Sequence, residues 1–455
     1  MAIPRPGQLY WSAYLAWHLR GQARYPFQPM SRVLLDQARR VRAMAAYAYR
    51  YVPYYRETMD RLGLSPADFR SAADLAKLPV LETDAYHRDP ERFLSTAQPA
   101  ERYFRMQTGG STGLRRTIWH DTAALFQNAA HAERERCMVT ALLHRKVGYR
   151  ETVITTTPEG STPRRVQTFL REHAWFPPRV GIERQYISVF DPIEKNLALL
   201  REFQPDILHS NGSYLVTLFG YLKNTGAPFH HPRAVTYGSE GVSDSIRRVI
   251  LEDFGIPIFS TYQATEALKL GFECDQHLGF HLNVDLYPVR VVDPEGHTVE
   301  PGERGEVVIS NLVNRATVIL NYRLNDLARL LPQRCPCGRT LPLLSFLQGR
   351  GRDFLRVPSG ERVHPDVTAT VFSRPEVWQY QVVQDTPDHL TVKLIVAEGT
   401  DQAATRDAIS ADFARLFGAE VSYDVSFVDH LERTPGGKIK PILALDRDDA
   451  EATRP

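Results

Sequence analysis

What most constrains the fold of this chain is a change of texture near Glu273. Before it, from roughly residue 100, short β-branched runs alternate with helical stretches: ETVITTT, VQTFLREHAWF, QYISVF, LALLREF, DILHSN and YLVTLFGYLKN. That alternation predicts βαβ units and layered sheets covered by helices. After Glu273 the helical period is gone. HLNVDLYPVRVVDPEG, ERGEVVISNL and ATVILNYRL read as a meander, with Asp293-Pro294-Glu295-Gly296 as the turn between two strands. Upstream, Val33, Leu34, Ala38, Val41, Met44 and Ala45 recur at helical spacing, and the pattern from Ser31 to about Leu62 is interrupted at Pro53 and stopped at Gly63. Beyond about Gly349 a last unit reads strand FLRV, helix VTATVFSR, strands WQYQVVQD and LTVKLIVAE, helix ATRDAISADFARLFG and strand VSYDVSFVD. The expectation is an α/β chain. A large N-terminal body of layered sheets and helices covers 1–348, helical over about 1–100 and β-rich over about 273–348. A small α+β domain covers 349–455.

The 455 residues exceed one ordinary core, and 43% hydrophobic with 24% charged residues is the make-up of a globular protein. Lys+Arg 55 against Asp+Glu 53 leaves the chain almost neutral, and the arginines are dispersed, which argues against a nucleic-acid partner. No apolar run approaches the ~18 residues of a membrane span. MAIPRPGQLYWSAYLAWHLRGQ is broken by prolines and arginines, so it is not read as a secretory signal, and WSAYLAW is expected to form a short amphipathic helix packed on the body. Four cysteines in a chain this long make no disulfide framework, and a cytoplasmic protein, monomer or homodimer, is expected.

Four segments carry chemistry. Thr108-Gly109-Gly110-Ser111-Thr112-Gly113, followed by Arg115 and Arg116, suits a phosphate cradle: glycines let backbone N–H groups approach oxygens and the hydroxyls add donors. Such a segment also occurs as a plain surface turn. In Thr261-Tyr262-Gln263-Ala264-Thr265-Glu266 an aromatic can cover a purine, the Thr265 hydroxyl can reach an α-phosphate, and Glu266 can hold Mg²⁺. The carboxylate ending Asn321-Tyr322-Arg323-Leu324-Asn325-Asp326 can accept both hydroxyls of a ribose, or simply close a charged hairpin end. Near the C-terminus, Pro435-Gly436-Gly437-Lys438 puts one ammonium on a glycine loop, suited to transient charge stabilisation or to being a solvated tip.

A metal constellation stands apart. Cys335 and Cys337, in CPCGR, place two thiols within reach of one ion in a spacing poor for a disulfide. Cys274 and a histidine, His281 or His277, would complete a tetrahedral structural zinc set; four unliganded thiols are the alternative. Cys137 is expected to be a buried core thiol.

Taken in order, these segments resemble the adenylate-forming superfamily and, within it, the phenylacetate–CoA ligase family. TGGSTGLR is similar to the family's Ser-Gly-Thr-Thr-Gly-Lys-Pro loop, with Leu114-Arg115 in place of Lys-Pro. YQATE resembles Tyr-Gly-x-Ser/Thr-Glu, with Gln263 for glycine. Tyr237-Gly238-Ser239-Glu240-Gly241 resembles the adenine-side Gly-Ala-Glu-Pro turn. NYRLND resembles Tyr-Arg-Thr-Gly-Asp, and Arg350 falls at the arginine that touches the ribose. The hinge aspartate is replaced by Arg352 or displaced to Asp353, and Lys438 matches the C-terminal Ser-Gly-Lys. VPYYRE and the Glu-Cys…Gly-x-His and Cys-x-Cys-Gly-Arg patterns extend the likeness over nearly the whole chain, and His281 fits Gly-x-His better than His277. The resemblance implies ATP- and Mg²⁺-dependent activation of a small carboxylic acid to an acyl-adenylate, then transfer to CoA, with a C-terminal domain that moves between the two steps. Transfer to an amine or carrier-protein thiol is the alternative, and a non-catalytic scaffold a third. Relatives build part of the acid pocket at the place of His209–Leu218, where Tyr214 would stack an aromatic acid or pack in the core.

Overall fold

A computed structural model describes residues 4–108, 116–177, 181–347, 354–359, 362–363, 371–372, 374–433 and 439–444. They belong to two compact units. Met1–Glu151, Thr157–Tyr186 and Phe259–Phe346 form the first; Thr152–Thr156, Ile187–Ile258 and Leu347–Pro455 form the second.

The first unit opens with helices. Proline begins α1 (Pro6–Leu19), where a missing N–H costs nothing. In α2 (Met30–Tyr51) Val33, Gln37, Val41, Met44, Ala45 and Ala48 make one buried stripe. Proline forces the next break: Val52 turns extended at φ −119°, α3 (Pro53–Arg61) restarts on Pro53, and Gly63 leaves it at φ +64°. Then follow α4 (Thr83–Arg88), strands β1 (Phe104–Thr108) and β2 (Arg116–His120), helices α5 (Thr122–His131) and α6 (Glu133–Leu142), β3 (Arg150–Thr155), α7 (Thr162–His173) and β4 (Glu183–Ser188); from β3, Thr152–Thr155, and from β4, Ile187 and Ser188 count with the second unit. β1 and β2 pair antiparallel, with Thr108 opposite Arg116. α1 packs on α5, where Trp11 stacks on Phe126 at 4.9 Å.

Within the second unit, α8 (Ile193–Phe203) precedes a βαβ unit of β5 (Ile207–Asn211), α9 (Gly212–Thr225) and β6 (Ala234–Gly238). β5 and β6 are parallel, in register from Ile207 opposite Ala234 to Asn211 opposite Gly238. α9 carries apolar residues nearly all round, as a helix buried on most sides must. Two of its glycines are set by close approach. A Cβ on Gly212 would sit 2.4 Å from the Gly241 carbonyl oxygen, and one on Gly220 would sit 2.5 Å from the Trp378 ring. α10 (Asp244–Arg248) follows, capped by the Ser243 hydroxyl.

The β texture after Glu273 belongs to the first unit. β7 (Ile258–Ala264), β8 (Leu268–Glu273), β9 (Phe280–Leu282), β10 (Val289–Val292), β11 (Arg304–Ile309), β12 (Tyr322–Leu331) and β13 (Leu343–Leu344) lie in the order β10-β11-β12-β13-β9-β8-β7. β10, β11 and β12 form the expected meander, with Gly296 at φ +91° in its DPEG turn. The large core of this unit joins that sheet to α2 and α3.

The C-terminal elements are short β14 (Leu355–Arg356) and β15 (Arg362–Val363), then β16 (Val377–Thr386), β17 (His389–Val396), α11 (Gln402–Phe417), β18 (Ser422–Phe427) and β19 (Ile442–Leu443). Their sheet runs β18-β17-β16-β19, and Ile409, Phe413 and Phe417 of α11 enter its core. The strand–strand–helix–strand reading of this unit holds, and most of VTATVFSR lies outside the described residues. Among the described residues, no helix is long and apolar enough to cross a membrane.

Candidate nucleotide and metal sites

Tyr262 and Asp326 come from separate strands of the first unit and meet. The buried Tyr262 hydroxyl donates to Asp326 Oδ2 at 2.8 Å, fixing that oxygen of a half-buried carboxylate. A bulge in β12 makes this possible. Glu306 pairs with Leu327 and Val308 with Arg323, so Leu324, Asn325 and Asp326 stand against the single residue Val307. Bulges re-aim side chains, and here the re-aimed side chain is Asp326. Asn325 holds φ +64°, the left-handed conformation that asparagine tolerates better than most residues, and its Nδ2 donates to Thr83 Oγ1 at 2.8 Å. The departure from Thr-Gly therefore keeps the backbone option that glycine would supply.

The strand end beside this pair carries Thr265 and Glu266. Glu266 is only 4% exposed, its Oε1 lies 3.5 Å from the Tyr322 hydroxyl, and its backbone carbonyl accepts from Asn311 Nδ2 at 2.8 Å. The Thr265 carbonyl faces His120 Nε2 at 3.1 Å, so that nitrogen carries the hydrogen. Burial pushes the His120 imidazole down to about 4, keeping it neutral. Gln263 is exposed, with its amide donating to the Thr261 hydroxyl at 3.0 Å.

In the second unit, Gly238 ends β6 and Ser239 turns left-handed at φ +70°. Glu240 is already engaged: Oε2 accepts from Ser213 N-H at the start of α9 (3.0 Å) and Oε1 from Ile439 N-H (2.9 Å). Arg433 donates to the hydroxyls of Ser213 (3.1 Å) and Thr217 (3.4 Å). Arg433 thus anchors on α9, and Ile439 on the Glu240 carboxylate that caps the start of that helix. Tyr214 belongs to the core rather than to a pocket wall; it is 1% exposed and its hydroxyl accepts from Asn196 Nδ2 at 2.7 Å.

The metal-type residues converge as well. The ligand atoms of Cys274, His281, Cys335 and Cys337 all lie within 4.8 Å of one another. Cys274 Sγ is 3.6 Å from Cys335 Sγ, and Cys337 Sγ is 3.4 Å from His281 Nε2. A tetrahedral ion with ordinary zinc bond lengths implies edges of roughly 3.8 Å for S–S and 3.6 Å for S–N. His277 is elsewhere, its Nδ1 paired with Glu273 Oε1 at 2.7 Å, so His281 is the imidazole of the group. Burial raises the Cys274 thiol to about 12, and raises Cys335. Cys337 is opposed by burial too, yet ends below the ordinary value because Arg339 donates from backbone and side chain. Buried thiols held this close suit a cation that would take their protons. Cys137 is half-buried rather than fully enclosed.

Residues 355–444 match the CapK C-terminal domain. The chain is 28% identical to a phenylacetate–coenzyme A ligase of Thermus thermophilus over 88% of this chain and 87% of that one. It is 24% identical to the phenylacetate–coenzyme A ligase of Aromatoleum evansii over 91% and 96%. A crystal structure of 2-hydroxyisobutyryl-CoA ligase with 2-HIB-AMP, in the postadenylation state, superposes with a TM-score of 0.72 at 17% identity, covering 91% of this chain and 90% of that one. The chain is thus similar to these phenylacetate–coenzyme A ligases over most of its length and shares the fold of the 2-hydroxyisobutyryl-CoA ligase.

Several expected positions lie outside the described residues: Gly109–Gly113, Arg350, the hinge pair Arg352 and Asp353, and Lys438. Thr108 is described only as the backbone end of β1. Sequence reasoning missed His120, Arg433 and the Glu240–Ile439 bond. His120 offered a faint signal, a polar residue closing a strand just after TGGSTG; Arg433, one of many dispersed arginines, offered none.

Proposed function

We propose that this protein activates a carboxylic acid with ATP and passes the acyl group to CoA. The observation that carries the reading is the Tyr262–Asp326 pair beside Thr265 and Glu266, because a ribose-binding carboxylate must be held rigid and half open. The names of the relatives, which are covered over 87% and 96% of their lengths, support the same chemistry.

In the first step a carboxylate oxygen attacks the α-phosphorus of ATP, and the bond to pyrophosphate breaks. In the second, the CoA thiol attacks the acyl carbon, loses its proton, and AMP leaves. Asp326 accepts from the ribose hydroxyls, a role assigned to Arg350 as well. Tyr262 and Gln263 are assigned to the adenine, and so is the Gly238-Ser239-Glu240 turn. Glu240 acts there through its backbone, its carboxylate being bound to Ser213 and Ile439. Thr108–Gly113 cradle the phosphates, Thr265 reaches the α-phosphate, and Lys438 meets the charge that builds there. Glu266 would hold Mg²⁺, which supplies neutralisation of phosphoryl charge. Cys274, His281, Cys335 and Cys337 would hold a structural zinc, whose preferred edges their separations approach. The lid is assigned to 349–455 and the adenylating body to 1–348, in a cytoplasmic enzyme that keeps these thiols reduced.

Pyrophosphate release over a panel of carboxylic acids, with and without CoA, tests this. Acid-dependent release with CoA-dependent thioester is the expected result. Release without thioester would move the acceptor to an amine or carrier-protein thiol, and no release with any acid would leave a scaffold.

A further inference from the structure

We propose that the outward face of α1 seats this protein on an anionic lipid surface. The helix has two apolar faces, and folding uses only one. Inward, Trp11 stacks on Phe126, Tyr14 accepts from Gln127 at 2.7 Å, and Ser12 donates to the Trp175 carbonyl at 2.8 Å. Outward, Leu9, Tyr10 and Trp17 are 49%, 60% and 68% exposed. Tyr10 and Trp17 are two turns apart and so share a side. Trp175, itself 38% exposed, lies next to Ser12.

Charge names the occupant. Pro6–Leu19 contains no Asp, Glu, Lys or Arg, and residues 1–35 contain four arginines and no acid. Arg5 precedes the helix and Arg20 and Arg24 follow it, all exposed. Among the described residues none of the three pairs with a carboxylate, and the Arg20 guanidinium sits 5.6 Å over the Trp17 ring. An uncharged helix that shows tryptophan and tyrosine, fringed by exposed arginines, matches a headgroup layer: rings enter the interface and guanidinium groups meet phosphates. At fourteen residues, pinned along one side, the helix would lie flat rather than span. A second copy fits less well. A two-fold contact would set the arginine fringe against itself, and a few side chains cover far less than the ~800 Å² per partner of a stable interface.

The test is co-sedimentation of the full chain with vesicles of phosphatidylcholine alone or mixed with phosphatidylglycerol, at low and high salt. Binding should require phosphatidylglycerol, fall with salt, and drop roughly tenfold in Tyr10→Ser/Trp17→Ser and in Arg20→Glu/Arg24→Glu. Both variants should keep the wild-type thermal melt, since these side chains point away from the body. Equal binding to neutral and anionic vesicles, no binding to either, or binding indifferent to both variants would overturn the proposal. So would concentration-dependent self-association in gel filtration that the Tyr10/Trp17 variant abolishes, which would make a second copy the occupant.

Discussion

Strands β8 and β12 each serve two clusters of opposite character. Glu266 precedes β8 and Cys274 follows it; Asp326 lies midway along β12 and Cys335 past its end. One cluster is thiol and imidazole, closed and drawn tight enough for a single cation. The other is carboxylate, hydroxyl and imidazole, with a half-buried Asp326 and an exposed Gln263. The first is mostly buried and the second reaches the surface. A sheet can carry both because a strand's ends are separated by roughly 20 Å over six residues, so tight packing at one need not stiffen the other.

The comparison breaks or sharpens on four measurements. Largest, Cys335→Ser should release about one equivalent of zinc and lower stability by more than about 4 kcal/mol, leaving ATP affinity per folded molecule intact; chelator titration with a thermal melt reads this. Zinc-free wild type prepared without chelator would remove the zinc assignment. Next, Lys438→Ala should cut acid-dependent pyrophosphate exchange roughly 10²–10³-fold while sparing ATP binding and thioester formation from synthetic acyl-adenylate. Equal loss in both half-reactions would point to damaged folding.

Third comes acid sensitivity at the carboxylate end. The folded His120 sits near 4, below its unfolded value of 6.5, because it is buried. Above about pH 6.5 it is neutral in both states and contributes nothing; between 6.5 and 4 only the unfolded chain takes the proton, so stability falls with pH, by about 3 kcal/mol at most. His131, also held low by burial, acts in the same direction. His120→Gln keeps a donor for the Thr265 carbonyl and should flatten part of that slope in urea titrations; an unchanged slope would refute the assignment. Smallest, Asp326→Ala should weaken ATP binding by about 1.5–3 kcal/mol by calorimetry without changing metal content.

The convergence of the thiols was nearly legible in the sequence. Thiol spacing picked out Cys274, Cys335 and Cys337, and the choice between the two histidines was settled by the fold, which gives His277 to Glu273 and sets His281 among the thiols. The Pro53 break, the DPEG turn and the C-terminal α+β pattern were legible because proline, glycine and period act locally. The carboxylate end was legible as a set of residues but not as an arrangement. A bulge that sets three residues of β12 against one of β11 leaves no local signature, and the Tyr262–Asp326 bond spans 64 positions of sequence. Tyr214 was ambiguous because an aromatic on an apolar helix looks alike in a pocket or a core; Asn196 decides it, eighteen residues upstream. Glu240 was read for its turn, and its grip on Ile439 depends on a partner 199 residues away.

Gly220 gives the Trp378 ring its seat on α9, where an added methyl would fall 2.5 Å from the ring. One hydrogen atom is therefore the whole clearance of this contact. A bare notch admits a flat ring at one place along the helix and at no other, so the missing side chain works as a locating mark. Alanine there would be a shim that lifts the ring off α9.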